Sequence, residues 1–272
     1  MKVAYFGYDL LKDCLRQVEK SGCEIVKIFT FETDNVYDHN TEIEAFAAQK
    51  NLPFQTLRPR RQDIENLKAL KCDLLVSAGY AFKIPADIIP GINIHPTLLP
   101  EGRGPWPMPH IIQKGLKRSG VSIHKISGRF DRGDLLLQEA FTVDAQETLP
   151  SLTKKIQTAA SNLLFNCLTN FESLWKNAYA QEGGSYWPEP SDEDRTFTPD
   201  TNLEMIERMI RAFTGYGCYL RLGNTTIKII KAECIADPSG RYPEHRNTRE
   251  NETIYMVNGG YIIAGKGDEM HV

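Results

Sequence analysis

The sequence predicts an α/β protein with a doubly wound, mainly parallel sheet and a smaller C-terminal β-rich module. Its first half alternates short apolar runs rich in β-branched residues with segments of helical periodicity. The apolar runs are continuous rather than alternating in polarity, which is typical of strands buried on both faces. A stretch rich in turn formers then precedes short strand-like segments with Gly and Asn turns. Together these features indicate a parallel sheet covered by helices, followed by a compact β module.

Strands and helices are predicted to alternate through the early part of the chain. The strands are expected at residues 3–6, 24–29, 53–56 and 73–77, and the helices at residues 10–20, 42–50 and 64–70. Right-handed crossovers between such parallel strands put helices on both faces of the sheet. Sheets of this kind bind ligands beyond the carboxyl ends of their strands, so a site is expected at that edge.

The rest of the chain predicts further sheet strands, a long helix and a separate module. The strands are expected at residues 121–126 and 135–141, the long helix at 149–174, and a linker at 181–200. In the module we expect a helix at 202–213, strands at 218–222, 226–232, 254–257 and 261–264, and a surface loop at 236–251. The predicted domains are therefore a large N-terminal one at residues 1–180 and a small α+β module at residues 201–272.

Composition argues against several classes of protein. The formal net charge of -3 provides no electrostatic footprint for nucleic acid, and the basic run at residues 58–61 is interpreted as a solvated loop. The six cysteines are scattered with no C-x-x-C pair, so neither a metal site nor a disulfide framework is expected, and the protein is predicted to be reduced and cytoplasmic. The amino terminus lacks the pattern of a signal peptide, and no apolar run is long enough to span a bilayer. We therefore expect a soluble protein with no membrane partner, as a monomer or a homodimer.

A carboxamide and an imidazole lie at the end of a further apolar run. Asn93 and His95 are two residues apart, so an extended segment places both side chains on one face. Asn93 can donate hydrogen bonds to a developing oxyanion, and His95 can accept or deliver a proton near neutral pH. Asp131, in a turn further along the chain, is suited to orient the imidazole or to hold it protonated. These residue types suit acyl transfer but are also common in loops, and His110 and His124 are interpreted as structural or supporting residues.

The same residues lie within a longer pattern, N-I-H-P-T-L-L-P-E-G-R-G-P followed by G-V-S-I-H and F-D-R-G-D-L-L-L-Q. This pattern resembles the folate-dependent formyltransferases, which include methionyl-tRNA formyltransferase, glycinamide ribonucleotide formyltransferase and the sugar-nucleotide N-formyltransferases. The resemblance covers residues 1–170 and implies the family's Rossmann-like fold, with its catalytic Asn, His and Asp at Asn93, His95 and Asp131. More weakly, residues 209–213 and 224–229 resemble the start of the smaller β-rich domain of the tRNA and sugar enzymes.

The resemblance also implies a co-substrate, N10-formyltetrahydrofolate, and a place for its pteridine. That ring is expected against the loop at residues 78–85 and the turn at residues 129–134, because backbone groups and an apolar slot suit a flat heterocycle. The residues expected to bind it are Tyr80, Phe82, Lys83, Ile84, Arg129 and Asp134. Tyr80 and Phe82 are equally compatible with a place in the core. No metal is expected in the reaction, because the oxyanion already has organic donors.

A stiff loop beside the catalytic pair is the expected acceptor site. Residues 103–107 hold two prolines and a glycine around Arg103 and Trp106. An Arg fork suits a phosphate or carboxylate, and an exposed indole suits a sugar or a base. Arg103 and Trp106 are therefore predicted to bind the acceptor, together with Tyr8 in the turn after the first strand. The alternative is a lid that only packs against its neighbours.

Comparison with the members of the family narrows the range of possible acceptor amines. Glycinamide ribonucleotide enzymes carry a glycine-rich phosphate loop after the first strand, whereas residues 6–10 here build no anion nest. The tRNA enzymes usually have a longer, basic C-terminal domain, whereas the part after residue 200 is short and not visibly basic. The resemblance therefore favours a small-molecule amine, best a nucleotide-linked 4-amino-4,6-dideoxy sugar for surface polysaccharide such as lipopolysaccharide O-antigen. Methionyl-tRNA or hydroxyornithine as acceptor, a formyl-folate hydrolase and a non-catalytic folate-binding protein stay open.

Overall fold

The computed structural model describes residues 1–34, 37–237, 252–265 and 269–271. Contacts within the chain divide it into two units. Unit 1 consists of Met1–Pro107, Arg118–Thr142 and Thr153–Pro188, and unit 2 of Met108–Lys117, Val143–Leu152 and Glu189–Val272. The contacts thus group two short segments of the predicted N-terminal domain with the C-terminal residues, whereas the predicted boundaries keep them apart.

A seven-stranded sheet forms the centre of unit 1. Its strands are β1 (Lys2–Gly7), β2 (Glu24–Phe29), β3 (Phe54–Gln55), β4 (Leu74–Ala78), β5 (Gly91–His95), β6 (Arg118–Lys125) and β7 (Leu135–Thr142). The spatial order is β3-β2-β1-β4-β5-β6-β7. Strands β1 to β5 are parallel, whereas β6 is antiparallel to both β5 and β7. The order reverses between β1 and β4, where doubly wound sheets leave a ligand crevice. The predicted mainly parallel, doubly wound sheet is confirmed.

Helices follow these strands along the chain. They are α1 (Asp13–Lys20), α2 (Thr41–Gln49), α3 (Arg61–Ala69), α4 (Met108–Gln113), α5 (Leu149–Thr169) and α6 (Phe171–Lys176). The predicted helix at 10–20 is shorter, because Asp9–Leu11 form a separate 3-10 turn. The predicted helix at 149–174 is two helices, because Asn170 leaves the helical conformation and its Nδ2 donates to Asn166 O at 3.0 Å. Side-chain amides compete in this way with the helical backbone.

The core of unit 1 packs around β1 and β4. All five residues of β4 are buried, as are five of the six residues of β1. Phe6 and Phe29 stack with ring centroids 4.5 Å apart, and Ile64 and Leu67 of α3 join the same cluster. These contacts explain the continuous apolar runs of the sequence, since the central strands are covered on both faces. A rigid β4 in turn supports β5, which pairs with it in parallel.

Unit 2 contains two small sheets. The first is formed by β8 (Thr196–Phe197), β9 (Cys218–Leu222), β10 (Thr225–Ile229) and β14 (Glu269–His271), in the spatial order β14-β10-β9-β8. The second is formed by β11 (Ala232–Ala236), β12 (Glu252–Val257) and β13 (Gly260–Gly265), in the spatial order β11-β13-β12. Helix α7 (Leu203–Ala212) contacts α4 and β11. The predicted strand at 226–232 differs, because the chain leaves β10 at the exposed Ile230 and enters the other sheet.

Two predictions for the outer regions of the chain have different outcomes. The predicted surface loop at 236–251 lies almost wholly outside the described residues, since 238–251 are not among them. Among the residues that are described, no helix combines the length and the apolar composition that crossing a membrane requires.

Candidate active site

Strands β5 and β6 bring three polar side chains to one face of the sheet. Asn93 and His95 alternate on β5, and the antiparallel register sets His124 of β6 directly opposite Asn93. Residues that face each other across two strands share one face of the sheet. Asn93 Nδ2 accordingly lies 3.1 Å from His124 Nε2. Both histidines are buried, whereas Asn93 is half-buried and open to a ligand.

The turn after β6 adds a carboxylate to this group. Asp131 Oδ1 lies 3.4 Å from His95 Nδ1 and 3.7 Å from His124 Nε2. The other oxygen, Oδ2, accepts a hydrogen bond from Gly104 N at 3.1 Å. Asp131 has a φ of 54°, in the left-handed region that most side chains avoid but Asp tolerates. The structure therefore brings Asn93, His95 and Asp131 together around His124.

Hydrogen-bond partners fix the proton positions on both imidazoles. His95 Nε2 lies 2.8 Å from Gly102 O, and His124 Nδ1 lies 2.8 Å from Lys125 O. A carbonyl oxygen only accepts, so each of these nitrogens carries a proton. The Asn93 amide nitrogen can only donate, so His124 Nε2 accepts its hydrogen bond and orients the carboxamide. The second N–H of Asn93 makes no hydrogen bond in the described part of the chain, so it is available to a substrate oxygen.

Burial and the carboxylate act in opposite directions on His95. Burial lowers the pKa of His95, and Asp131 and the Gly102 carbonyl offset only part of that shift. Burial alone would raise the pKa of Asp131, but its contacts with His124, His95 and the Gly104 amide outweigh burial and hold that pKa below its usual value. Near neutral pH the site therefore holds an ionised carboxylate beside a predominantly neutral imidazole.

Arg103 is built into the structure rather than presented to a ligand. The residue is 3% exposed. Its Nε and Nη2 donate to Gln181 Oε1 at 3.1 and 2.9 Å, and Nη1 donates to Gly183 O at 3.0 Å. The predicted acceptor fork is therefore already engaged, by residues that the sequence predicts as the start of a linker. Trp106 is half-buried, and its contact with an acceptor stays a prediction.

An aromatic cluster lies at the carboxyl ends of the strands next to the reversal point. Tyr8, Phe31, Tyr80 and Phe82 form successive ring pairs with centroids 5.1 to 5.9 Å apart. Tyr80 is 8% exposed and Phe82 is 39% exposed. Tyr80 Oη has no hydrogen-bond partner within the described residues, and burial raises the pKa of Tyr80 to about 12, so it is a protonated donor. Tyr8, predicted on the acceptor side, lies with the residues predicted for folate.

Lys83 connects the loop that carries Tyr80 and Phe82 to the turn after β6, which contains Asp131 and is called the catalytic turn below. Its Nζ donates to Gly128 O at 2.9 Å. Arg129 is exposed and Asp134 is half-buried in that turn, whereas the Ile84 side chain belongs to the core and is not offered to a ligand. Aromatic rings, an unpartnered buried hydroxyl and an adjoining irregular turn are groups that fit a flat heterocycle with polar edges, such as a pteridine.

Sequence reasoning missed how the site is supported. The pairing of His124 with Asn93 depends on strand register, which alternation along each strand suggests but cannot align. Gln181 contacts the turn around Asp131 across 50 residues of chain and carries no local signal. In the parts of the chain that the structure describes, no three His, Cys, Asp or Glu side chains are grouped so that they could hold a metal ion.

Known proteins show where this chain belongs. Residues 1–168 match the family model described as formyl transferase. Methionyl-tRNA formyltransferase of Treponema denticola is 35% identical over 229 residues, covering 78% of this chain and 71% of that protein. The enzyme of the same name from Coprothermobacter proteolyticus is 30% identical over 272 residues, covering 95% and 88%. The solved structure of WlaRD, a sugar 3N-formyl transferase, shares the fold with a TM-score of 0.67 at 19% identity, covering 98% of this chain and 97% of that one. The chain therefore belongs to the formyltransferase family, whose members use N10-formyltetrahydrofolate as formyl donor.

Proposed function

We propose that the protein transfers the formyl group of N10-formyltetrahydrofolate to the primary amine of a nucleotide-linked amino sugar, best a 4-amino-4,6-dideoxy sugar. Asn93, His95 and Asp131 are the catalytic residues in this proposal. The observation that carries it is a carboxamide with a spare N–H beside a buried His and Asp pair, at the carboxyl end of β5. Such a group can bind an oxyanion and move a proton.

The side chains have complementary tasks in this reaction. The amine attacks the formyl carbon, and the carbonyl oxygen takes the electron pair and becomes an oxyanion. Asn93 donates a hydrogen bond to that oxygen, and His95, when protonated, places a positive charge near it. Asp131 accepts, through water, the proton that the attacking nitrogen loses. The bond between the formyl carbon and N10 then breaks, N10 takes up a proton, and a formamide and tetrahydrofolate leave.

The exposed side of the catalytic turn supports a nucleotide-linked acceptor. Arg129, Phe130 and Arg132 are exposed, whereas Asp131 between them is buried. Two guanidinium groups suit a diphosphate, and an exposed aromatic ring suits a base or a sugar face. Tyr186, 63% exposed, adds a second ring beside Gly104. In this proposal these residues take the place of Arg103, and Arg129 is assigned to the acceptor rather than to folate, for which the sequence predicts it.

Initiator methionyl-tRNA is the second candidate acceptor. The relatives that are 30% and 35% identical to this chain carry that activity in their names. Charge favours the smaller acceptor, because residues 201–272 contain nine Lys or Arg and nine Asp or Glu and therefore have no net charge. Binding to a nucleic-acid backbone draws on an excess of basic residues.

A screen of amines tests the acceptor. Equal amounts of enzyme and N10-formyltetrahydrofolate are incubated with 3- and 4-amino sugar nucleotides, initiator methionyl-tRNA, hydroxyornithine or no amine, and tetrahydrofolate release is followed. We expect rapid release with a 4-amino sugar nucleotide and little without an amine. Formylation of methionyl-tRNA with none of the sugars would assign the second candidate instead. Rapid release without any amine would indicate a formyl-folate hydrolase.

The variant Tyr80→Phe tests the folate site. We expect the KM for formyl-folate to rise about fivefold, the effect of one lost hydrogen bond. The free energy of unfolding should not fall, because the hydroxyl has no partner among the described residues. Tyr5→Phe is the matched control, since Tyr5 Oη donates to Leu11 O at 3.0 Å. That variant should lose about 1 kcal/mol of stability and keep its KM. An unchanged KM in Tyr80→Phe would remove the hydroxyl from the site.

A further inference from the structure

A glutamine in the segment predicted as a linker contacts both the loop after β5 and the turn that carries Asp131. We propose that Gln181 is a positioning residue for formyl transfer, which holds the Asp131 carboxylate in place beside His95. This inference rests on the proposed catalytic role of Asp131. It assigns a function to part of the chain that sequence patterns treat as a connection.

The Gln181 side chain uses its full hydrogen-bonding capacity within unit 1. Oε1 accepts from Arg103 Nε at 3.1 Å and from Arg103 Nη2 at 2.9 Å. Nε2 donates to Asp131 O at 2.9 Å and to Gly133 O at 2.8 Å. An amide side chain has two donor hydrogens and two acceptor lone pairs, so no group is left unused. One side chain thus ties the loop after β5 to the catalytic turn.

These contacts reach Asp131 from two sides. Its backbone carbonyl accepts from Gln181, and its carboxylate accepts from Gly104 N at 3.1 Å. Gly104 directly follows Arg103, which Gln181 holds through two hydrogen bonds. The backbone and the side chain of Asp131 are therefore fixed relative to the same loop. This sets the position of Oδ1, which lies 3.4 Å from His95 Nδ1.

Asp131 needs such support because of its backbone conformation. Its φ of 54° lies in the left-handed region. Asp tolerates that region better than most residues, but the conformation still costs free energy that contacts with the surroundings must offset. The two carbonyls that Gln181 binds belong to Asp131 itself and to Gly133, so they hold Asp131 and the residues that directly follow it in the turn. Without these bonds the turn can relax, and the carboxylate moves away from the imidazole.

The segment that carries Gln181 also holds the His95 side of the site. Ser185 O accepts from Arg103 N at 3.1 Å, and Trp187 N donates to Arg103 O at 2.7 Å. Ser185 Oγ accepts from Gly102 N at 3.0 Å, and Gly102 O is the partner of His95 Nε2. Backbone pairing therefore fixes the segment that carries Gln181 relative to the loop after β5.

A titration of His95, followed by NMR in the full chain without substrates, tests this inference. The charged and titratable groups that act on His95 are Asp131, His124 and Arg103. In Gln181→Leu we expect the pKa of His95 to fall, because a displaced carboxylate no longer opposes the effect of burial. Asp131→Asn should lower it further. Adding Gln181→Leu to Asp131→Asn should then change the His95 pKa much less than Gln181→Leu does alone, because the main effect of both passes through one carboxylate and only the effect of a released Arg103 is left, whereas independent structural effects would add.

Kinetics with the acceptor found in the screen provide a second measurement. Gln181→Leu is expected to lower kcat by about 10- to 100-fold, the cost of a misplaced catalytic group, with the KM for formyl-folate nearly unchanged. Gln157→Leu is the matched control, because Gln157 Nε2 is also a part-buried amide in unit 1 and donates to Leu10 O at 2.9 Å. That control should keep both the His95 titration and kcat of the unaltered protein.

The possible results separate this inference from the proposed function. A His95 pKa and a kcat that both stay unchanged in Gln181→Leu would overturn the positioning role. Unchanged values in Asp131→Asn would instead overturn the catalytic role of Asp131. Gln181→Met, which keeps the length of the side chain and removes its hydrogen bonds, is measured in the same way in case Gln181→Leu does not fold.

Discussion

Asn93→Ala, His95→Ala and Asp131→Ala are each expected to lower kcat by about 100-fold or more, the usual effect of losing a group that stabilises an oxyanion or moves a proton. Asn93 provides the N–H that no group in the described part of the chain uses. His95 and the ionised Asp131 form the buried pair beside it. Because folate contacts are predicted elsewhere, the KM for formyl-folate should change little. The measurement is turnover at saturating concentrations of both substrates.

A surface residue controls for the effect of substitution itself. Asn66 lies exposed on α3, where its Oδ1 accepts from Gln62 Nε2 at 3.2 Å. Asn66→Ala should keep the turnover of the unaltered protein. Circular dichroism and thermal unfolding would show that the three site variants remain folded. Near-normal turnover in any folded variant would contradict the role assigned to that residue.

Much of the sheet could be predicted because strands that are buried on both faces have mainly apolar sequences. The strands at 24–29 and 218–222 have the predicted bounds, since mainly apolar runs there adjoin the glycine turns at Gly22 and Gly223. Other bounds depend on contacts that no local pattern records. The helix predicted at 149–174 breaks at Asn170, and one apolar run beyond residue 225 serves two different sheets.

The candidate site divides in the same way. Asn93 and His95 could be placed on one face from their spacing alone, because side chains alternate along a strand. Asp131 could be named as a carboxylate suited to the imidazole, and the resemblance to a family then implied its catalytic role. Arg103 shows the limit of this reasoning: the residue type suits a phosphate, but the side chain is buried and three of its N–H groups donate to Gln181 and Gly183. Partners that are distant in the chain decide whether a charged side chain binds a ligand or supports the fold.

Gly104→Ala is expected to remove activity and to lower the free energy of unfolding by about 3 kcal/mol or more, as for changes that force backbone apart. Gly104 has a φ of +134°, and a Cβ there would lie 1.9 Å from Trp187 O. A backbone carbonyl cannot turn aside as a flexible side chain can. Because Gly104 N donates to Asp131 Oδ2, any movement that relieves the clash also displaces the catalytic carboxylate.

Gly22→Ala is the control that separates the steric clash with Trp187 from the strain of a side chain at positive φ. Gly22 has a φ of +78°, but nothing lies within 4 Å of a Cβ built there. That variant should lose only about 1 to 2 kcal/mol, the cost of a side chain in the left-handed region, and should keep its kcat. Urea unfolding and turnover would be measured for both variants. Equal losses of stability, with normal kcat in Gly104→Ala, would mean that residues 185–187 do not pack closely against the loop after β5 that contains Gly104. A much larger loss of stability in Gly104→Ala than in Gly22→Ala, together with lost turnover, would mean that residues 185–187 and the loop after β5 form one rigid arrangement.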